Sequence, residues 1–243
     1  VEHETGLHYI GNIRKRKQIL DLITYNPIYW CKLGWERKDN REVYDEIYVG
    51  EDKYEFEAGE SNIIDYLHGR FPDTPKSNIA KYFDLVKKAS KKDLFFISKV
   101  IPYRFISYIL TLFDSEYKYY CETSAYDVVK SLIDDEELIS VLFGQFGDYG
   151  ITPKKASFFI HASIVNHYLE GGWYPRGGTG VMANEICKTI VQHDGEVLVG
   201  KKVKKILIKN DKVYGVKMEN GDEIFCDTVV SGAGLRTTFT KLV

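Results

Sequence analysis

The sequence predicts a mixed α/β protein in which strands and helices occupy separate stretches of the chain. Three observations lead to this class. Apolar and polar residues alternate between 41 and 59, which is the period of a strand. From 61 to 192 apolar residues recur at helical spacing, and from 197 to 225 short alternating runs separated by turn residues predict an antiparallel meander.

Composition excludes several kinds of protein. The 243 residues are 44% hydrophobic and 14% aromatic, which is enough for a packed core. The 33 Lys and Arg nearly balance the 35 Asp and Glu, so the net charge of -2 disfavours nucleic acid as a partner. The 4 cysteines form no Cys-x-x-Cys pair, so we expect neither a zinc site nor a disulfide framework. We expect no signal peptide, because the opening residues are polar.

The first elements are an extended segment and a hairpin. Gly6 and Gly11 flank a short run with the apolar residues Tyr9 and Ile10, which predicts extended backbone with close approaches at the glycines. Alternation on both sides of a turn at 50–53 predicts an antiparallel hairpin, whose inward residues are Val43, Ile47, Val49, Tyr54 and Phe56.

Helical spacing follows the hairpin. One helix is predicted from Ile63, Ile64, Leu67 and Phe71, and a second begins near Pro75. Two short helices are predicted at 125–133 and 135–143, and a longer one opens at Pro153 and runs through His167. A further helix follows Gly178 and ends at Gln192.

The most apolar stretch, 93–113, lies within a basic region, 81–104. Lys99, Pro102 and Arg104 would make a membrane-spanning helix costly here. Two interpretations stay open. The stretch is either a kinked pair of core helices, or part of a surface at 81–113 that contacts an anionic membrane or admits an apolar substrate.

The last quarter of the chain predicts short strands at 197–199, 203–208, 213–218 and 223–225, with turns at 210–211 and 220–221. The run DTVVSGAG at 227–234 predicts a buried strand that ends in a glycine turn.

Two glycine clusters are candidate ligand-binding segments. Gly177 and Gly178 precede a helix, where small residues let a ligand reach amide groups at the positive end of the helix dipole. Backbone that a pyrophosphate or a flat ring could approach is also predicted at Gly232, Ala233 and Gly234. An ordinary turn is the favoured explanation at 232–234, because the Gly-x-Gly-x-x-Gly pattern at 232–237 lacks its last glycine. At 177–178 a ligand site and an ordinary loop stay open as alternatives.

Three motifs, TGLHYIG at 5–11, NHYLEGGWYPRGG at 166–178 and DTVVSGAG at 227–234, resemble the flavin-dependent amine oxidase and phytoene desaturase superfamily. The resemblance implies a two-domain FAD-dependent oxidoreductase fold, with an incomplete dinucleotide-binding domain and a substrate domain that has a β-hairpin and a helical lid. Residues 1–14 and 173–243 would then be FAD-domain segments, and 15–172 the substrate domain. The superfamily's other glycine-rich flavin segments should lie before Val1 and after Val243, so we expect an internal fragment that binds FAD poorly.

The resemblance also implies which residues contact FAD. Gly6 and His8 would lie near the isoalloxazine ring, and Val203 would offer backbone contacts to the adenine. The other expected cofactor contacts are Gly177, Gly178, Gly232, Ala233 and Gly234. Trp173 and Tyr174 are expected to face the substrate.

Within the superfamily, the motifs are similar to those of enzymes that reduce a carbon–carbon double bond of a retinoid by hydride transfer. The cofactor carries that step, and the protein must supply a proton, for which residue type offers His8, Tyr9, Tyr174 and His161. His161 and His167 point about 240° apart on one helix, so they do not form a metal pair and structural roles are favoured. The resemblance also implies NAD(P)H as electron donor, although no residue indicates its site, and a location at the endoplasmic reticulum membrane.

Other functions stay open. A carotenoid desaturase or isomerase of the same superfamily would act on a longer polyene, and a membrane-interface lipid-binding module would need no redox chemistry. A serine hydrolase is disfavoured, because Ser231 lacks the glycine two residues before it that a nucleophile elbow needs.

Overall fold

A computed structural model describes residues 9–91 and 115–243, together with Phe105 and Ile109. Backbone contacts divide the chain into two compact units, Val1–Ile186 and Cys187–Val243. The predicted mixture of helices and strands is confirmed.

The strands of the first unit form two antiparallel three-stranded sheets. One has the order β1–β6–β2 and the other the order β3–β4–β5. The strands are β1 (Ile10–Gly11), β2 (Trp30–Lys32), β3 (Trp35–Glu36), β4 (Glu42–Val49), β5 (Asp52–Glu57) and β6 (Gly172–Pro175).

Helices supply most of the core of this unit. They are α1 (Ile13–Ile23), α2 (Glu60–Arg70), α3 (Lys76–Ser90), α4 (Ser115–Glu122), α5 (Ala125–Lys130), α6 (Glu136–Leu142), α7 (Phe158–Tyr168) and α8 (Gly180–Gln192), with a 3₁₀ turn at Phe146–Tyr149. α7 lies at the centre, packed against α3, α4 and α5, and for that reason it is apolar on nearly every side.

The predicted hairpin is confirmed as β4–β5. Its turn is shorter than predicted, because Val49 pairs with Asp52 and only Gly50 and Glu51 connect the strands. Gly50 has a φ of 62°, in the left-handed region that favours glycine in such turns. The helices predicted around 63–71, after Pro75 and at 135–143 are also confirmed, whereas the one at 125–133 ends early, at Lys130.

The predicted start of the long helix at Pro153 is wrong. α7 begins at Phe158, and Ser157 caps it with a hydroxyl that accepts the Ile160 N–H at 3.4 Å. The backbone instead closes a turn after Pro153, where the Ala156 N–H donates to the Thr152 carbonyl. The helix begins after Ser157 rather than at Pro153 because the serine hydroxyl accepts a hydrogen bond from an N–H group that has no partner within the helix.

The second unit contains the predicted meander, formed by β7 (Val203–Lys209), β8 (Lys212–Met218) and β9 (Glu223–Phe225) in one antiparallel sheet. Asn210 and Asp211 adopt φ values of 51° and 59°, as a two-residue hairpin turn requires. The chain ends in a helical turn, Leu235–Thr237, and a π-helical turn, Thr238–Leu242.

Two strand predictions in this unit are wrong. Residues 197–199 and 227–234 are irregular, and Val230 is 92% exposed rather than buried. Within 187–243, neither run has a neighbouring strand to complete its backbone hydrogen bonds. Apolar composition without such a partner does not make a strand.

Over the described parts of the chain, no group of His, Cys, Asp or Glu could hold a metal ion, and no helix is long and apolar enough to cross a bilayer. The cysteines are unpaired. The apolar stretch 93–113 lies outside the described residues except for Phe105 and Ile109, so both interpretations of it stay predictions.

Candidate functional site

Two distant motifs meet in one small sheet. β1 directly continues the TGLHY segment and β6 lies within GGWYPRGG; Ile10 pairs with Trp173, and Gly11 with Gly172. On the other edge of β6, β2 pairs Cys31 with Tyr174. The sheet therefore brings together the two segments that the sequence assigned to the approach to the flavin.

Glycine is required at this sheet because it lies directly on the C-terminal turn of α7. A Cβ on Gly11 would stand 1.8 Å from the His167 carbonyl oxygen, and one on Gly172 would stand 2.9 Å from the Tyr9 ring. Gly171, which leads into β6, has a φ of 107° that only glycine adopts readily. The bare backbone thus allows the crossing chain to pack against α7.

His167 fixes this packing. Its Nε2 accepts the Gly11 N–H at 2.9 Å, so this nitrogen carries no proton. This hydrogen bond is of the kind that the structural role favoured for His167 predicts. No local sequence signal indicates the partner, because Gly11 belongs to a distant strand.

Tyr9, a candidate proton donor, is held by a hydrogen bond and a ring contact. Its hydroxyl donates to Asp45 Oδ2 at 2.8 Å, and its ring lies 4.5 Å from the ring of Tyr168. The Gln145 amide donates to the same Asp45 oxygen at 3.3 Å. Burial, together with the negative charge of Asp45, raises the pKa of Tyr9 well above its usual range, so Tyr9 keeps its proton at neutral pH.

Beside the sheet is a cleft of about 500 Å³, called here the Trp173 cleft. Its lining includes the apolar residues Trp173, Leu169 and Ile13, and the polar residues Asn12, Asn166 and Glu170. Two ion pairs contribute to its polar lining, Lys32 with Glu42 and Lys87 with Glu60.

The Trp173 ring gives the cleft a flat aromatic surface, over which Lys32 Nζ stands at 5.6 Å. Successive strand residues point to opposite faces, so Tyr174 cannot share this face with Trp173, and it does not line the cleft. An apolar, conjugated ligand could stack on Trp173 while the asparagine amides orient a polar group.

His161 lies in the core rather than in the cleft. It is 1% exposed, and its ring nitrogens stand 2.8 Å from the Tyr82 hydroxyl and 3.2 Å from the Tyr149 hydroxyl. Burial lowers the pKa of His161 to about 3. A neutral imidazole accepts one hydrogen bond and donates the other, so His161 joins the two tyrosines.

Gly177 and Gly178 form the turn between β6 and α8. Their φ values are 92° and 86°, and the Gly178 N–H donates to the Pro175 carbonyl at 3.0 Å. A Cβ on Gly178 would meet no atom within 4 Å, so the backbone is open to a ligand on that side. α8 is anchored by Glu185, whose carboxylate accepts the Asn26 N–H and side-chain amide, both at 3.0 Å.

The other predicted cofactor contacts belong to the second unit. Val203 begins β7, opposite Met218. The segment Gly232, Ala233 and Gly234 is an exposed loop, and a Cβ on either glycine would meet nothing within 4 Å. The open backbone at Gly232 and Gly234 leaves room for the close approach of a ligand to this loop. Gly6 and His8 lie outside the described residues.

Comparison with known proteins shows which family the chain resembles. The chain is related to a family described as flavin containing amine oxidoreductase, whose model matches residues 121–238. The resemblance stated from the motifs is therefore confirmed, and this family implies a flavin cofactor.

Among the relatives that match over the whole chain are proteins named all-trans-retinol 13,14-reductase. The Macaca fascicularis protein of that name is 33% identical over 260 residues, which cover 100% of this chain and 41% of that protein. A Danio rerio protein named inactive all-trans-retinol 13,14-reductase is 30% identical over 258 residues, with the same coverage. The chain thus spans about two fifths of the length of these relatives.

A carotenoid enzyme matches part of the chain. The chloroplastic prolycopene isomerase of Daucus carota is 33% identical over 127 residues, covering 51% of this chain and 21% of that protein.

Proposed function

We propose that this chain is part of a flavin-dependent oxidoreductase that saturates the 13,14 double bond of all-trans-retinol. The observation that carries the proposal is similarity over the whole chain, at 33% identity, to a protein named for that reaction. Bound FAD supplies the hydride chemistry, and NAD(P)H is the proposed source of its electrons.

The chain's own residues would hold the substrate. The Trp173 ring offers a flat surface for a polyene, and Leu169 and Ile13 exclude water from the same wall. The amides of Asn12 and Asn166 would bind the alcohol end. Addition across a double bond requires a hydride on one carbon and a proton on the other.

The proton must come from a group that carries one at neutral pH. Tyr9 meets this condition, but its hydroxyl is already donated to Asp45, so it would have to exchange partners to act. Tyr174 and His8 stay proposals for the same role. His161 is the weaker candidate, because it is buried in the core and does not line the Trp173 cleft.

A second candidate function has its own support. The similarity to prolycopene isomerase covers 51% of the chain, which favours a carotenoid as the alternative substrate. Catalysis also has to be measured directly, because a relative 30% identical over the same span is named inactive.

The test uses the product of the complete reading frame that encodes this chain. A flavin absorption spectrum is recorded first, then all-trans-retinol or prolycopene is added anaerobically with reductant and the products are separated by chromatography. We expect bound flavin and loss of the retinol polyene absorbance. Conversion of prolycopene but not of retinol would favour the carotenoid function. Absence of bound flavin from the expressed protein would exclude both proposed reactions.

Trp173→Ala tests the cleft in the same assay. We expect the substrate concentration for half-maximal rate to rise severalfold, up to about tenfold, because stacking against an aromatic ring contributes about 0.5–1.5 kcal/mol. Trp35→Ala is the matched control, since Trp35 is 46% exposed on β3 and does not line the cleft. Equal effects of the two variants would remove Trp173 from the substrate site.

Location and membrane contact are further proposals. The endoplasmic reticulum membrane and a contact through 81–113 follow from the resemblance. Fractionation of cells that express the complete product tests the location, and recovery in the cytosol after mild lysis would contradict it.

A further inference from the structure

A second cleft, called here the hairpin cleft, lies between the turn end of the β4–β5 hairpin and α6. Its volume is about 870 Å³, and it shares no lining residue with the Trp173 cleft. Small-molecule sites in proteins typically have volumes of about 300–1,000 Å³ and mostly apolar walls. The apolar side chains in its lining come from β4, α6 and the residues that follow α6, and they are Ile47, Val49, Ile139, Phe143 and Phe146.

The hairpin cleft contains a cation that forms no ion pair. Lys154 is in its lining, and across the described parts of the chain its ammonium group has no acidic partner. The two acids in the lining are each paired with a lysine at 2.7 Å, Glu46 with Lys53 and Glu136 with Lys130. The positive charge of Lys154 is therefore the one in this cleft that is available to a ligand.

An aromatic ring helps to position this charge. Lys154 Nζ stands 4.8 Å from the centre of the Tyr126 ring, which also lines the cleft. The Tyr126 hydroxyl is 3.3 Å from Glu136 Oε2, so the ring has contacts on α6 as well. A cation over an aromatic face is attracted by the ring and keeps its N–H groups for an anion. The cleft thus has an apolar wall and a cation within one lining.

We propose that the hairpin cleft binds a fatty acid, that is, a monocarboxylate with a hydrocarbon chain. The chain would cover the apolar side chains of β4 and α6, and the carboxylate would bind the Lys154 ammonium group. Charge complementarity selects this class, because a neutral lipid would leave the cation unused and a cationic one would be repelled by it. The proposal does not depend on the proposed reaction.

The first test is calorimetric titration of the complete reading-frame product with decanoate and with decanol, which have equal chain lengths and differ in charge. We expect Lys154→Gln to weaken decanoate binding about fivefold, the most that an exposed ion pair usually contributes, and to leave decanol binding unchanged. Lys155→Gln is the matched control, because Lys155 is the next residue, is also exposed and does not line the cleft. Equal effects of the two variants on decanoate would overturn the proposal.

The second test concerns the apolar wall. Dodecanoate should bind at least about tenfold more tightly than decanoate, because it buries two more methylene groups. Phe146→Ala should weaken decanoate binding about fivefold, through the loss of apolar contact area. Ile151→Ala is its control, since Ile151 is 48% exposed against 46% for Phe146 and does not line the cleft. An affinity that ignores both chain length and Phe146 would overturn the proposal.

Other outcomes assign the ligand differently. Loss of decanoate binding in Trp173→Ala but not in Lys154→Gln would place the fatty acid in the Trp173 cleft. Tighter binding of decylamine than of decanoate would make Glu46 and Glu136 the ligand-binding groups. Either result overturns the proposal, as does the absence of measurable decanoate binding. Circular dichroism of each variant verifies that it is folded.

Discussion

The Gly11 N–H and His167 Nε2 are joined by a 2.9 Å hydrogen bond that connects the strand after the TGLHY motif to the last turn of α7. This bond and the β1–β6 pairing hold both motifs in a single sheet beside the Trp173 cleft.

Removal of the acceptor tests this bond. His167→Ala leaves the Gly11 N–H without its partner, so we expect the free energy of unfolding to fall by about 1–3 kcal/mol. Urea denaturation measures it. His193→Ala, at an exposed position after α8, should change stability by less than about 0.5 kcal/mol. Equal stabilities of the two variants would contradict the role of His167.

The space around Gly11 and Gly69 predicts that replacing each by alanine changes the stability in opposite directions. Gly11→Ala places a Cβ 1.8 Å from the His167 carbonyl oxygen, so we expect β1 to be displaced and stability to fall by about 3 kcal/mol or more. Gly69→Ala, in α2, meets nothing within 4 Å and should stabilise the protein by about 0.5–1 kcal/mol. Thermal unfolding of both variants checks the sign; a stabilising Gly11→Ala would show that β1 does not pack on α7 as described.

The lowered pKa of His161 predicts that the protein loses stability in mild acid. Burial lowers its pKa to about 3, so below pH 6.5 the unfolded chain binds a proton that the folded protein does not. The contribution of His161 is complete above pH 6.5 and is lost as the pH falls toward 3, with a slope that approaches about 1.4 kcal/mol per pH unit.

Urea denaturation between pH 7 and pH 5 measures this slope. His161→Gln should be less stable at pH 7 but less sensitive to acid than the parent protein. An imidazole resonance of His161 that titrates near its ordinary value would contradict the prediction.

Tyr9 and Asp45 should stabilise the protein more than a similar surface pair. Tyr9→Phe removes a half-buried hydroxyl from the Asp45 carboxylate, and we expect a loss of about 1.5–3 kcal/mol. The control is Tyr48→Phe, which removes an exposed hydroxyl bonded to Glu46 at 3.0 Å and should cost less than about 0.5 kcal/mol. Chemical denaturation of both variants measures the two losses, and equal losses would contradict the prediction.

Local patterns predicted the elements that local interactions form. The β4–β5 hairpin and the β7–β8 turn have alternating strands and short turns, so sequence neighbours determine them. The motif resemblance agrees with the family whose model matches residues 121–238. It did not indicate that β1 pairs with β6, because Ile10 and Trp173 carry no local signal of each other.

The errors have physical causes. Residues 227–234 have the composition of a buried strand, but without a pairing partner within their unit Val230 is exposed. Pro153 suits a helix start, yet Ser157 provides the cap. Asp45 was missed as a partner of Tyr9 because only tertiary packing brings the two residues together.

The β1–β6 pairing also bears on the order in which the protein folds. The chain between Gly11 and Gly172 contains most of the core helices, and joining its two ends costs more entropy than closing any hairpin. Contacts between residues so far apart in sequence form slowly. The sheet that carries both motifs is therefore expected to assemble last, after the helices around α7 have shortened the distance between its strands.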